Sequence, residues 1–292
     1  MTDKKKSNRL VEKTVHLIFL ATGLISVGCV LVITIYLIIS GIPAIKEIGI
    51  VNFLFGKEWA STSDDPRYGI LPFILTSVYG MAGALIIGVP LGFFAAVYLA
   101  KMAPSWLKSL AQVAVGLLAG IPSVVYGLIG MLVLVPMIMK IFDVSDGASM
   151  LAAIIVLSVM ILPAVIEVSI TALESVAPEY EAASLALGAT QTETFFRVSV
   201  PAAKSGISAA VILGAGRAIG ESMAVMMVAG NVANMPSLFS SVRFLTTAVA
   251  SEMSYSSGLQ RQALFSIALV LFLFIMLINC MLNAVLRQGD SK

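Results

Sequence analysis

The stretch SGISAAVILGAGRAIGESMAVMMVAG, residues 205–230, decides how this chain is read. It is long and apolar enough to cross a bilayer, which takes about 20 residues. Yet it carries Arg217 and Glu221 near its middle. Each costs roughly 2.5–3.5 kcal/mol at the centre of a membrane helix even on lenient insertion scales, so something must offset them.

The surrounding composition is that of a membrane protein. Of 292 residues, 59% are hydrophobic and only 12% charged, whereas soluble domains carry about 25% charged residues. A net charge of +2 and the absence of basic runs interleaved with aromatics exclude nucleic acid as a partner. Cys29 and Cys280 sit inside apolar runs as lipid- or helix-facing fillers, with no disulfide or metal pattern. His16, at the edge of the first apolar run, reads as an interfacial residue.

Apolar runs of spanning length occur near residues 15–40, 70–100, 109–139, 148–171, 205–230 and 262–286. The first is too long for a signal h-region, lacks a cleavage site and reads as a retained span after a 1–14 tail. Residues 15–292 then form one membrane domain. The inner flanks of such a topology hold Lys4, Lys5, Lys6, Arg9, Lys13, Lys101, Lys108, Arg197, Lys204, Arg287 and Lys292. The outer ones hold Lys46, Lys57, Arg67, Lys140, Arg243 and Arg261. The excess of positive charge inside places both termini in the cytoplasm. The expected fold is therefore an all-α integral membrane protein of six transmembrane helices.

Pro72, Pro90, Pro122 and Pro136 disturb the second and third runs, either as packing kinks or where a wet cavity satisfies the freed backbone. No internal repeat is visible, which disfavours a self-sufficient carrier. Two outer loops exceed tight turns. Residues 41–69 read as a surface-lying helix anchored by Trp59 and Tyr68 at the interface and 231–261 as an interrupted Ser/Thr-rich segment, and each is either a docking surface for an extracytoplasmic partner or a cap over the helix ends.

The inner loop 172–204, ALESVAPEYEAASLALGATQTETFFRVSVPAAK, is built as an elbow. Pro178 suits a first helical position, Glu179 and Glu181 complement the helix start, and Gly188 stops it. Thr190 and Glu193 make a capping box for a second short helix, and Pro201 opens the fifth span. Leu185, Leu187, Phe195 and Phe196 need cover, from the chain's own helix ends or from a groove on a partner. Pattern alone favours self-packing.

Gly188, followed after nine residues by Val198, Ser199, Val200 and Pro201, resembles the coupling-loop signature of ABC importer permeases: EAA, three residues, Gly, nine residues, Ile, any residue, Leu-Pro. Ala182, Ala183 and Ser184 stand at the EAA positions, with Glu181 one place earlier, and Val198 and Val200 replace Ile and Leu. GIPSVVYG at 120–127, GRAIGESMAV at 216–225 and GKEWASTSDDPRYGILPFILTSVYG at 56–80 resemble the phosphate-specific, PstC-type branch of that family. The resemblance implies an ABC type I importer permease fold in the bacterial cytoplasmic membrane, with a short cytoplasmic coupling helix. It assigns ATPase coupling to Glu181, Ala182, Ala183, Ser184, Gly188 and Pro201. It further implies a PstA-like second permease as heterodimer partner, two copies of a PstB-like ATPase and a PstS-like phosphate-binding protein outside.

Arg217 and Glu221, four residues apart, are expected on one helix face. Gly216 and Gly220 offer that face to a close neighbour. One reading makes the pair an ion-pair glue between helices. The other presents a guanidinium to an anion in transit, restrained by Glu221 while the site is empty; a forked donor matches an oxyanion where lysine does not. That the anion is phosphate comes from the resemblance. Ser123 and Tyr126 are candidate hydroxyl donors on the same path, and Glu167 pairs with a nearby cation or reaches the interface. No catalytic grouping is present. No G-x-x-x-x-G-K-[ST] loop occurs, so ATP and Mg would be bound by a partner and not by this chain. Competing readings are a permease for sulfate or molybdate, or an ion-gradient carrier using Arg217 and Glu221 as a proton-linked relay.

Overall fold

The computed structural model describes the backbone of residues 2–290 and the side chains of 12–281. Lys4, Lys5, Lys6, Arg9, Arg287 and Lys292, counted above towards orientation, lie outside the described side chains. The chain is helical almost throughout. Helix α1 spans Thr2–Ile48 and α2 Ile50–Phe55; a hairpin of β1 (Trp59–Ala60) and β2 (Arg67–Tyr68) follows. Then come α3 (Leu71–Lys101), α4 (Ser105–Gly120), α5 (Ser123–Ile129), a π turn at Gly130–Leu134, α6 (Val135–Phe142) and α7 (Met150–Glu174). The elbow is α8 (Pro178–Ala186), α9 (Gln191–Thr194), a second π turn at Phe195–Ser199 and α10 (Val200–Ala202). The remainder is α11 (Lys204–Gly220), α12 (Met223–Val228), α13 (Leu245–Glu252) and α14 (Gly258–Asp290).

Among the described residues, five helices are long and apolar enough to span a membrane, and a sixth span exists if the bent pair Gln191–Ala202 and Lys204–Gly220 is counted as one. Two of the six expected runs are not continuous. Run 109–139 breaks at Ile121 and Pro122, both extended, because Pro122 removes an amide and its ring disfavours helix at the residue before it. Run 205–230 breaks after Gly220, where Glu221 takes φ −74, ψ 128. Hydropathy counts apolar side chains and is blind to such interruptions of the backbone ladder.

Both π turns end two residues before a proline, Pro136 in one case and Pro201 in the other. Widening the turn removes the clash between the ring and the carbonyl one turn back. Pro201 does not open the fifth span as expected; the chain bends by 70° and α11 begins at Lys204.

The core is α7 packed between α3 and α11. On α3 the small residues Gly80, Ala84, Gly88, Gly92 and Ala96 recur every fourth position; Gly88 and Gly92 let α7 sit directly on the backbone, while Gly80 receives the Phe244 ring. A Cβ at Gly88 would fall 2.6 Å from Ile161 Cδ1 and 3.0 Å from the Ser158 carbonyl. Helix α14 packs along α1, where Ser266 is buried against Gly41.

The outer loops close this end as one plate. Trp59 and Tyr68 are not surface anchors: Tyr68 is buried, and Trp59 stacks near Tyr68 and Phe73 while its indole N–H donates to Glu252 at 3.2 Å. Glu252 also accepts from Ser61, Gln260 and Arg243. Loop 231–261 covers the helix ends and buries its own Leu245, Thr246, Thr247 and Ala248.

Candidate functional site

Helix α11 lies on α7 through Gly214, whose Cβ position would fall 3.3 Å from Val165, and it ends one turn after presenting Arg217. The expected pairing of Arg217 with Glu221 across one helical face is overturned. The helix stops between them, and Glu221 Oε1 instead accepts from the Ala224 amide at 3.0 Å, capping α12. No described ion pair takes Arg217, which is half-buried. The Glu221 carbonyl is held in turn by the Thr246 hydroxyl at 2.9 Å, which ties the break to α13 of the outer plate.

The two helix breaks meet. Helix α5 starts at Ser123, directly after the first break, and packs on α12, which starts after the second. The approach is backbone to backbone: a Cβ at Gly127 would lie 2.8 Å from Ala224 Cα. The Tyr126 hydroxyl donates to the Leu118 carbonyl at 2.8 Å, in the last turn of α4, where that oxygen also accepts from the Ile121 amide, and it lies within electrostatic range of Arg217. Four residues proposed for a polar path, Arg217, Glu221, Ser123 and Tyr126, thus lie on or beside this pair of facing breaks.

The face beside Arg217 is open. At Gly216 and Gly220 nothing lies within 4 Å of a built Cβ, so in this chain they receive no helix, contrary to expectation. Leu213, one turn before Arg217, and Met223, just past the break, are exposed. None of the described cavities is lined by Arg217.

At the cytoplasmic end, Pro178 opens α8 with Glu179 and Glu181 in its first turn, Gly188 turns the chain with φ +89, and Thr190 and Glu193 form both halves of the capping box. The expected self-packing of the elbow's apolar residues fails for three of four. Phe195 is buried, but Leu185 and Phe196 are 44% exposed and Leu187 91%. Ala182, Ala183 and Pro201 are also exposed, and Ser184 bonds Thr194 at 2.9 Å inside the elbow.

Glu181 turns inward. Its Oε1 accepts from Lys101 Nζ at 2.5 Å and from the fully buried Ser199 hydroxyl at 2.7 Å. Burial pushes this carboxyl up, but the hydrogen bonds from Lys101 and Ser199 and the charge of Lys101 outweigh it and hold the group below its ordinary value. Lys101 and Ser199 escaped the sequence reading because they lie 80 and 18 residues from Glu181 and carry no local signal. Glu167 takes part in no described ion pair; it lines a groove of about 360 Å³ with Gln112, Thr171 and Glu174. His16 is exposed on α1, and Cys29 and Cys280 are free and exposed.

A bundle of membrane helices with facing mid-span breaks, a half-buried cation that no described ion pair takes and a projecting apolar elbow fits a transport subunit. The chain belongs to the family described as binding-protein-dependent transport system inner membrane component, which it matches over residues 88–288. It is 39% identical over 288 residues to the probable ABC transporter permease protein YqgH of Bacillus subtilis (strain 168), covering 96% of this chain and 93% of that one. It is 33% identical to the phosphate transport system permease protein PstC of Haemophilus influenzae, covering 89% of each. Among solved structures, a chain of a bacterial alginate ABC transporter in complex with an alginate pentasaccharide-bound periplasmic protein shares its fold. That likeness has a TM-score of 0.63 over 92% of both chains at 15% identity. The chain is thus an ABC importer permease, a multi-pass transporter subunit of the inner membrane.

Proposed function

We propose that this chain forms one half of the membrane pathway of an ATP-driven importer of inorganic phosphate. The observation that carries the proposal is Arg217: a guanidinium at a helix break, without an ion-pair partner among the described residues, on a face left open by this chain. A cation held there is offset by an anion in passage, and its forked donors suit an oxyanion. The choice of phosphate rests on the PstC relatives. A PstA-like second permease would cover the open face of α11, and a PstS-like protein would deliver the anion at the outer plate.

Two copies of a PstB-like ATPase would supply the energy, binding ATP and Mg that this chain has no loop to hold. One copy would seat the exposed Leu185, Leu187 and Phe196 of the elbow in a groove, the helix-in-groove mode. Ala182, Ala183, Ser184, Gly188 and Pro201 would shape that contact. The break between Arg217 and Glu221 speaks against a proton-linked relay through the pair, because the Glu221 carboxylate is occupied by α12.

Copurifying the four components and measuring ATP-dependent uptake of labelled phosphate tests the proposal. Uptake that excess sulfate and molybdate leave intact supports it. Uptake suppressed by either anion assigns a different oxyanion, and gradient-driven flux through this chain alone removes the ATPase from the account.

A further inference from the structure

Elbow helix α8 packs its backbone chiefly on α9 and on the π turn at 195–199. Between α8 and the inner end of α3 lies a cavity of about 360 Å³ lined by Ala100, Lys101, Glu181, Leu185, Gln191, Thr194 and Phe195. Close packing does not bridge that gap; a carboxylate does. Glu181 reaches Lys101 at the last residue of α3 and Ser199 at the last residue of the π turn, and both donors converge on its Oε1. Lys101 is 12% and Glu181 23% exposed, and Ser199 is fully buried, so water screens the knot weakly.

The knot also has a particular position. A π turn interrupts the regular hydrogen-bond ladder of a helix. This one precedes the 70° bend into α11, the helix that carries Arg217, while α3 is locked onto α7 by its ladder of small residues. We infer that Glu181 is a positioning residue that bolts the elbow to α3 and to the π turn, so that a push on α8 moves α11 and is not absorbed in the turn. The exposed neighbours Ala182, Leu185 and Leu187 are left to meet the partner. The inference rests on the importer reading above.

The test uses the complete complex, reconstituted with its ATPase and binding protein, and reads uptake per ATP hydrolysed. Glu181→Gln is expected to leave the ATPase bound and its hydrolysis within about twofold, while uptake per ATP falls about tenfold, the scale of one charge-assisted bond. The reciprocal pair Lys101→Glu with Glu181→Lys is expected to recover part of that loss. Should Glu181→Gln fail to fold, Ser199→Ala keeps the ion pair, and a fall of about threefold in the same ratio is expected. Unchanged coupling in the variant that assembles overturns the bolt. So does loss of the ATPase from an otherwise intact Glu181→Gln permease, which would make the carboxylate a direct contact. An ATPase that never joins the wild-type protein would refute the importer reading itself, a different result from either.

Discussion

Glu221 Oε1 accepts a hydrogen bond from the Ala224 backbone amide at 3.0 Å, and this contact separates two residues that share a face in any unbroken helix. With Glu221 spent on starting α12, the charge of Arg217 is left for something else. Glu221→Gln keeps an acceptor oxygen and is expected to retain phosphate uptake within about threefold. Glu221→Ala removes the cap and is expected to cost about 1 kcal/mol of stability. Thermal unfolding and uptake of both variants check this; equal, complete loss of uptake in the two would give the carboxylate a role in passage.

Gly127 holds the two breaks together, because its missing side chain lets Ala224 Cα approach to where a Cβ would lie 2.8 Å away. Backbone atoms cannot move aside as a flexible side chain does. Gly127→Val is expected to destabilise the protein by about 1–3 kcal/mol through overpacking and to abolish uptake. A stable Gly127→Val protein with normal uptake would mean that the facing of α5 and α12 is dispensable.

Gly188 turns the elbow with φ +89 into open space, so a larger side chain there meets strain and no clash. Gly188→Val is expected to cost about 1–2 kcal/mol locally and to leave the bundle intact. ATP hydrolysis should then run without matching uptake. Normal uptake per ATP in this variant would show that the geometry of the turn does not matter to coupling.

The depressed Glu181 carboxyl gives a pH dependence whose direction follows from linkage. Its folded value lies below the ordinary 4.5, so the folded state holds the ionised form more firmly than the unfolded chain does. The stabilisation is fully present above 4.5 and is lost as pH falls through the lower folded value. Melting temperature followed from neutral pH downward should fall more steeply in the wild type than in Glu181→Gln. Parallel profiles would remove the carboxylate from the balance.

Much of this was legible in the residues themselves. Pro178, Gly188, Thr190 and Glu193 act on their immediate neighbours, and the elbow they imply is the elbow observed. The breaks were legible only in part. Pro122 announces the first, but the second rests on Gly220-Glu221-Ser222, a stop followed by cap-forming residues, hidden inside a run that hydropathy scores as continuous. The small-residue ladder of α3 was written at every fourth position from Gly80 to Ala96, yet a glycine pair is equally consistent with an open face, which is what Gly216 and Gly220 provide. The Lys101 to Glu181 contact joins residues 80 apart, and no local rule reaches that far.

Arg217→Ala in the reconstituted complex probes the central claim most directly, with ATP-dependent uptake of labelled phosphate as the readout and copurification of the partners as the control. Uptake lost while all four components still assemble is the predicted result. Uptake at the wild-type rate, or a complex that falls apart without the guanidinium, would contradict an anion-escorting Arg217.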